Sequence, residues 1–523
     1  MALESQSFAL TLAQLLPEMD LAKAAPLVVS GLTLDTRLLT QGDVFIALSG
    51  SQFDGRRFIA SAIERGAVAV LVEADKEWQG IDWLGQVPVI AVDNLAQQVS
   101  AIAGRFYGEP SAHFRLVGIT GTNGKTTCSL LLGQLSALLQ ERAGVVGTVG
   151  YGVLDAAVLA PFAQQLNALT ATGLTTPDAV RLQHILAQLR EHAVTAVAIE
   201  VSSHSLQQGR VAGLHFETAI FTNLTQDHLD YHGDLVSYGK AKQQLLQMPG
   251  LRYAIVNADD SWAKSLLEKM PSGVQPYTFS LRDTDADVYA KDIALTATGA
   301  SVTLVTPWGV GEFHSHLMGA FNLSNLLAVI TAACVGGAAL ADVLLAIPQL
   351  QPAPGRMQAV TLEQSQQDIN VIVDYAHTPD ALENTLTAIR EHNPGRVWTV
   401  FGCGGDRDRS KRPLMGRIAE RLSDYVIVTN DNPRTEDPAV IAADILRGMH
   451  NTHGCLVIAE RGQAIDLAIQ QAKTGDVVLI AGKGHEDYQI FATQTLPFSD
   501  VKQARLALQR RIARRDADTE IKS

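Results

Sequence analysis

The chain has 523 residues, 47% hydrophobic and 18% charged, with 42 glycines. That length predicts about three domains, and the glycine content suits an α/β protein with many tight strand-to-helix turns. Asp and Glu outnumber Lys and Arg by 54 to 41 for a net charge of -13, which argues against nucleic acid as a partner but allows a small anion held by local Arg and Lys.

Residues 1–112 show short α/β patterns such as Val44 to Leu48 and Ala67 to Val72, and Gly108 to Ser111 reads as a linker closing a small N-terminal domain. Glu4 and the absence of a basic lead-in predict no secretory signal. Cys128, Cys334, Cys403 and Cys455 form no Cys-x-x-Cys pair; a zinc knuckle or disulfide framework is not expected, and a cytoplasmic protein is.

Val117 to Thr127 reads Val-Gly-Ile-Thr-Gly-Thr-Asn-Gly-Lys-Thr-Thr, between an apolar strand, Leu116 to Ile119, and a Leu-rich helix, Ser129 to Leu139. A glycine-rich turn between strand and helix cradles phosphate, because Gly121 and Gly124 admit close approach and the helix-start N–H groups point at the anion. Lys125 suits the terminal phosphates and Thr126 a Mg2+ ion. The strict pattern wants glycine at 119, where Ile119 stands.

Ala196 to Val201 and Thr218 to Leu224 read as buried parallel strands, whose C-terminal ends are where ligands gather. Glu200 follows the first and suits Mg2+. Asp227-His-Leu-Asp-Tyr-His232 follows the second; Leu229 stands where a His-Glu-x-x-His zinc protease needs glutamate, leaving His228 as a metal neighbour or a capping histidine. Tyr238 to Lys242 opens a helix. No charge occurs from Leu317 to Ala341, but Asn322, Ser324, Asn325 and Gly336-Gly337 interrupt the window, so a buried helix is expected and not a membrane span.

Gln351-Pro-Ala-Pro-Gly355 marks a second break. Beyond it Val371 to Tyr375, Arg396 to Phe401, Tyr425 to Thr429 and Val477 to Ala481 read as strands of a second doubly wound sheet, and the charged residues after about 508 as a fraying end. Polar turns at three of these strand ends, Asp374 to Asp380, Asp431-Asn-Pro-Arg434 and Gly482-Lys-Gly-His-Glu486, with the glycine-rich Phe401 to Arg409, converge on one crevice.

Thr-Gly-Thr-Asn-Gly-Lys-Thr, Glu-Val-Ser-Ser-His, Asp-His-Leu-Asp-Tyr-His, Asp-Tyr-Ala-His-Thr-Pro, Asp-Asn-Pro-Arg and Gly-Lys-Gly-His-Glu, in this order, resemble the Mur ligase family of ATP-dependent amide-forming enzymes over almost the whole chain. The resemblance implies an α/β protein of three domains: a small N-terminal UDP-binding domain (1–112), a central P-loop-type ATPase sheet (113–350), and a C-terminal Rossmann-like doubly wound sheet binding the incoming amino acid (351–523). It implies a cytoplasmic enzyme of peptidoglycan synthesis, monomeric and without a membrane span, that uses ATP and Mg2+ to join meso-diaminopimelate to a UDP-linked muramoyl dipeptide through an acyl phosphate.

By the same resemblance Gly121, Thr122, Asn123, Gly124, Lys125, Thr126, Thr127, Asn325, Arg356, Asp374 and His377 would surround ATP. Thr126, Glu200, His228 and Lys242, the last as a carbamate, would hold metal, and Lys125, Lys242 and His228 would serve catalysis. Leu34, Thr36 and Ser51, Gln52, Phe53 would hold uridine; Thr175, Thr176, Ser202, Gln208 and Arg210 the muramoyl-dipeptide arm; Arg407, Asp431, Asn432, Pro433, Arg434, Gly482 and Glu486 the diaminopimelate. A guanidinium suits the far carboxylate that separates diaminopimelate from lysine, which gives Arg434 the selecting role. The stretch Leu154 to Thr172 matches the family poorly, and Leu174 replaces an asparagine of some relatives. Folylpolyglutamate synthases are similar in cradle and chemistry, but the Asp431 to Arg434 motif and the extra N-terminal domain count against them.

Overall fold

The computed structural model describes residues 8–50, 54–296, 299–362, 367–451 and 454–522. After a short pairing of β1 (Leu10–Thr11) with β2 (Val28–Val29), the chain builds three sheets in succession. In the first, β3 (Gly31–Thr33), β4 (Asp43–Ala47), β5 (Ala69–Glu73) and β7 (Val87–Val92) run parallel, with β6 (Ile81–Leu84) antiparallel at the edge. Successive residues of a strand face opposite ways: Val44 and Ile46 join the core under the helix Leu95–Phe106, whereas Phe45 and Ala47 join the one against Ile59–Glu64.

The second sheet has ten strands in the order β10-β9-β11-β8-β12-β13-β14-β15-β16-β17. These are β8 (Arg115–Thr120), β9 (Ala143–Val146), β10 (Tyr151–Leu154), β11 (Ala196–Glu200), β12 (Thr218–Phe221), β13 (Tyr253–Asn257), β14 (Gln275–Ser280), β15 (Val288–Thr296), β16 (Gly299–Thr306) and β17 (Gly309–Ser315). From β9 to β15 the pairing is parallel; β10, β16 and β17 extend it antiparallel. The meander from β15 to β17 carries no motif and was not expected from the sequence. Ile119, Ala198, Ile220 and Ile255 face the helices Lys125–Leu138 and Ala320–Val335; Leu116, Ile199, Phe221 and Val256 face Ala179–Glu191.

That sandwich explains two sequence features. Ile119 is fully buried in the core, one residue before the strand ends, so an apolar side chain serves there and the turn begins only at Gly121. The uncharged window is the helix Ala320–Val335, nearly all of it buried between sheet and neighbours; among the described residues no helix is long and apolar enough to cross a membrane.

In the third sheet, ordered β18-β19-β23-β20-β21-β22, five strands are parallel: β19 (Asn370–Asp374), β20 (Val397–Phe401), β21 (Tyr425–Val428), β22 (Cys455–Val457) and β23 (Val477–Ala481). β18 (Gln358–Ala359) adds antiparallel, and β24 (Tyr488–Phe491) pairs with β25 (Gln494–Pro497) as a separate hairpin. Helices cover both faces, which makes this sheet doubly wound.

Two breaks in the sequence are differently built. Gly108 to Ser111, expected as a linker, is docked: Pro110–His113 forms a 3-10 turn, the Gly108 carbonyl accepts from Arg190, and buried Ser111 Oγ accepts from His215 N–H at 3.2 Å. Between the second and third sheets, fully buried Gln134 on the cradle helix clamps Gln351, accepting from its N–H at 2.9 Å and donating to its carbonyl at 3.0 Å. The chain after 508 continues the helix Asp500–Lys522, which covers the third sheet with Ala504, Ala507 and Leu508 buried and Arg511 paired to Asp368 at 2.7 Å.

That helix is anchored by a fully buried, bidentate pair in which Arg461 Nε and Nη2 each lie 2.7 Å from Asp500. Removing one partner of such a pair strands the other charge and costs about 3–5 kcal/mol. Asp500→Ala is therefore expected to lower the unfolding free energy from denaturant titration by that margin, and an unchanged value would contradict the assignment.

Candidate active site

Parallel pairing places the chemistry-bearing turns side by side. Glu200 lies opposite Ile119, and Phe221 opposite Thr120, so the turns after β8, β11 and β12 share one rim. Gly121 (φ 152°) and Gly124 (φ 86°) form the cradle. A Cβ at Gly121 would lie 1.9 Å from Thr222 Oγ1, and one at Gly124 2.5 Å from Asn325 Oδ1, so both positions demand glycine for space as well as for backbone angle.

Lys125 folds back over the turn and donates to the carbonyls of Gly121 and Thr122, both at 2.9 Å. Burial lowers its pKa despite Glu200 and Asp227 nearby. Lys242, from the helix Leu235–Gln243, is 1% exposed and donates to the same Gly121 carbonyl at 2.7 Å, its Nζ 4.4 Å from the Tyr238 ring centre. Burial, then repulsion from Lys125, puts its pKa well below the usual lysine value, so the amine is held toward its neutral form.

Thr126 Oγ1 donates to Glu200 Oε2 at 2.9 Å, while Thr148 supplies Glu200 with an N–H at 2.8 Å and a hydroxyl at 3.0 Å. Glu200 is 1% exposed; it thus faces the cradle, its oxygens satisfied by threonines. His228 sits at φ 53° with Nε2 3.3 Å from Asp227, and burial lowers its pKa against the opposing pull of Asp227. Among the described residues no group of three or more His, Cys, Asp or Glu side chains is set to hold a metal. A Mg2+ site here therefore needs oxygens beyond the Glu200 carboxylate and Thr126 hydroxyl, and a carbamate on Lys242 would provide them.

The third sheet closes over the cradle. Arg356 Nη2 donates to Thr126 Oγ1 at 3.3 Å with its guanidinium 4.4 Å above the Tyr375 ring, and Asn123 Nδ2 donates to Asp380 at 2.7 Å. Between them lies a cavity of about 230 Å3 lined by Gly124, Thr126, Thr127, Asn325, Arg356 and Asp374. Asp374 is itself committed to structure, accepting from Met357 N–H, Ala376 N–H and Thr385 Oγ1, and burial raises its pKa. His377, expected with these residues, instead lines a second cavity, because its Nδ1 bonds the Tyr375 carbonyl at 2.9 Å.

That second cavity, about 290 Å3, brings together Arg407, Asp431, Asn432, Arg434, Gly482 and Glu486 with Asp227 and His228 of the central unit. Pro433 is not in its wall; its carbonyl crowds Gly405, where a Cβ would lie 1.9 Å away. Arg434 (φ 54°) donates through Nη1 to the Gly405 carbonyl at 2.8 Å, and its N–H to Ile490 at 3.0 Å. Below, fully buried Arg412 binds Glu436, Asp444 and the Gly404 carbonyl, tying both arginine-bearing turns to one base. Sequence reasoning missed Tyr375, Lys411, Tyr488 and Lys483 here; only Tyr375 and Lys483 lay inside quoted motifs, and nothing local distinguished them.

On the opposite flank Thr175, Thr176, Ser202, Gln208 and Arg210 form one network. Thr175 Oγ1 donates to Thr148 Oγ1 at 3.1 Å, Thr176 Oγ1 donates to the Glu200 carbonyl at 2.7 Å, Ser202 N–H donates to Thr176 Oγ1 at 3.2 Å, and Arg210 bonds both the Thr176 carbonyl and Gln208. Leu34 and Thr36 lie on the turn after β3; Ser51, Gln52 and Phe53 fall outside the described residues. The poorly matched stretch 154–172 folds into a turn and the helix Phe162–Asn167, pinned by a reciprocal backbone pair between Tyr151 and Thr170.

A phosphate cradle closed by a second α/β unit, whose own charged cavity opens beside it, defines a nucleotide-dependent ligase. Models of the Mur ligase family match three parts of the chain: the Mur ligase family catalytic domain at 28–107, the Mur ligase middle domain at 119–333, and the Mur ligase glutamate ligase domain at 355–484. The chain is 45% identical to a UDP-N-acetylmuramoyl-L-alanyl-D-glutamate–2,6-diaminopimelate ligase of Coxiella burnetii, over 95% of this chain and 99% of that one. It is 47% identical to the protein of the same name from Pseudomonas aeruginosa, over 95% and 98%. A solved structure of that ligase superposes with a TM-score of 0.67 at 36% identity, covering 97% of this chain and 99% of the other. Folylpolyglutamate synthase of Mycobacterium tuberculosis shares the fold at TM-score 0.58 and 17% identity over 74% of this chain and 92% of its own. The protein is a member of the Mur ligase family, an ATP-dependent ligase of small-molecule substrates.

Burial lowers the pKa of His377 and of His485 to about 4 from an ordinary 6.5. The unfolded chain then binds protons at these sites before the folded one does, so stability is full above pH 6.5 and falls as pH drops toward about 4. The ligand-free protein should lose denaturant resistance between pH 6.5 and 4.5, and the double variant His377→Gln/His485→Gln should lose less. Parallel pH profiles for the two proteins would contradict this.

Proposed function

We propose that this chain joins meso-diaminopimelate to the D-glutamate of UDP-N-acetylmuramoyl-L-alanyl-D-glutamate, forming ADP and phosphate in peptidoglycan synthesis. The observation that carries the reading is the second cavity: two guanidiniums, Arg407 and Arg434, and five carboxylates, among them Asp431 and Glu486, line about 290 Å3 beside the phosphate cradle. Such a set matches an amino-acid head group, carboxylate against arginine and ammonium against carboxylate. Lysine would leave Arg434 unpaired in a closed pocket, at a cost of about 1–3 kcal/mol or more.

In the first step a carboxylate oxygen of the D-glutamate attacks the γ-phosphorus of ATP, and the bond to the β–γ bridging oxygen breaks, releasing ADP. Lys125, freed from the Gly121 and Thr122 carbonyls, neutralises the transferring phosphoryl group. The amine of diaminopimelate then attacks the acyl carbon, phosphate departs with its oxygen, and the nitrogen loses a proton. Closure by Arg356 and Asp380 excludes water from the acyl phosphate. Thr175, Thr176, Ser202, Gln208 and Arg210 would hold the muramoyl-dipeptide arm on the far side of Glu200, and Leu34, Thr36 and residues 51–53 the uridine.

Mg2+, when bound, supplies charge neutralisation to the phosphates; Thr126, Glu200, His228 and a carbamylated Lys242 are the residues that would hold it. A neutral, buried Lys242 amine can add carbon dioxide, releasing one proton and leaving the carbamate anion. The domains are proposed to divide at 112/113 and 350/351, in a monomeric cytoplasmic enzyme.

The test combines the purified chain with ATP, the UDP-linked precursor and diaminopimelate, and reads product mass and ADP. ATP hydrolysis indifferent to both co-substrates would sink the proposal. Arg434→Ala should raise the KM for diaminopimelate far more than that for ATP, and equal changes would remove Arg434 from the selecting role. Lys242→Ala should abolish turnover, with partial recovery on adding a small carboxylate; a variant as active as the parent would refute the carbamate.

A further inference from the structure

Lys483 is fully buried behind the wall of the second cavity and is absent from its lining. Its Nζ donates to Glu486 Oε2 at 2.9 Å and to Asn432 Oδ1 at 3.2 Å, and lies 3.6 Å from Asp431 Oδ1. An ammonium has three donors and no acceptor; two of them are taken by hydrogen bonds to Glu486 and Asn432, and Asp431 completes the surroundings as an ion pair. Each of these partners does line the cavity.

The consequences propagate forward. Asn432 Oδ1 also accepts from Ile490 N–H at 3.0 Å, which fixes which way the amide points and sends its Nδ2 to Glu486 Oε2 at 3.0 Å. Glu486 Oε2 is thus held by two donors, and Oε1 accepts from Tyr375 Oη at 3.3 Å. The lysine backbone is equally constrained. A Cβ at Gly482 would meet Asp431 Oδ2 at 2.7 Å, and one at Gly484 (φ 53°) would meet the Gly355 carbonyl at 2.7 Å.

We propose that Lys483 is a positioning residue that sets stereochemical selection at the far end of the incoming amino acid, by holding Glu486, Asn432 and Asp431 in one arrangement relative to Arg434. The inference rests on the reading of this cavity as the diaminopimelate site. At a carbon bearing carboxylate, ammonium and hydrogen, inversion exchanges the ammonium with the hydrogen while the carboxylate can stay on its arginine. Discrimination then depends on the acceptor being in one place and not the mirror place. A Glu486 released from Lys483 can swing toward either, since its side chain has three rotatable bonds and no other cation on that oxygen.

The test measures kcat and KM for meso-, LL- and DD-diaminopimelate, at saturating ATP and UDP-linked precursor, in the parent and in Lys483→Met, Lys483→Gln, Glu486→Gln and Lys483→Met/Glu486→Gln. Lys483→Met should raise the KM for the meso isomer and cut the meso-to-LL ratio of kcat/KM by about tenfold or more, while the KM for ATP moves by less than about twofold. The double variant should be no worse than Glu486→Gln alone, because both changes remove one interaction. Lys483→Gln, which keeps N–H donors but loses the charge, should fall between. A proportional fall for all three isomers, or additive losses in the double variant, overturns the inference in favour of a purely structural ion pair. Should Lys483→Met not fold, the same criteria apply to Lys483→Gln. A parent enzyme that uses no diaminopimelate isomer would instead overturn the functional reading, and this inference with it.

Discussion

The Gly121 carbonyl oxygen accepts from Lys125 at 2.9 Å and from Lys242 at 2.7 Å, and the rest of the site is organised around that crowding. Two ammonium groups drawn to one acceptor in a poorly solvated turn repel each other, and the better buried Lys242 yields by favouring its neutral form. The same crowding makes the turn receptive to anions.

The strands beneath allow no relaxation of this arrangement. Ile119 is locked in the core one residue before the turn, Thr222 and Asn325 fill the space that side chains at 121 and 124 would need, and the cradle helix is buried on nearly every side. Closure by the third sheet is then built from few contacts. Arg356 touches Thr126, which touches Glu200, which touches Thr148, so one line of hydrogen bonds runs from the third sheet's side of the cradle to the network of Thr175, Thr176, Ser202 and Arg210. Gln134 links the cradle helix to Gln351 on the way to the third sheet.

The second cavity follows a different logic. Its lining carries Arg407, Arg434, Asp431 and Glu486, while a second tier of buried cations, Arg412 and Lys483, determines where they stand. A left-handed backbone at Arg434 costs about 1–3 kcal/mol unless its surroundings impose it, and here its N–H donates to the Ile490 carbonyl at 3.0 Å while its carbonyl accepts from Ala492 N–H at 2.6 Å.

Glycine at 121 and 124, the Lys-Thr pair after them, and the polar residues closing each apolar strand were legible in the sequence, because each obeys a local rule of backbone angle or strand periodicity. Those local rules also predicted four of the six strands of the third sheet to within a residue or two and the buried, uncharged helix near 330; β18 and β22, two and three residues long, were missed. The meander from β15 to β17 carried no motif, and the docked turn at 108–113 looked like a linker because Ser111 meets His215, and Gly108 meets Arg190, only after folding. The placement of His377 in the second cavity, the burial of Lys483 and Arg412, and the sharing of one carbonyl by Lys125 and Lys242 are contacts between residues far apart in the chain. The sequence by itself determined which chemistry each turn could carry; only the tertiary structure decided which turns meet and which charges are buried, since desolvation and charge pairing depend on neighbours that folding supplies.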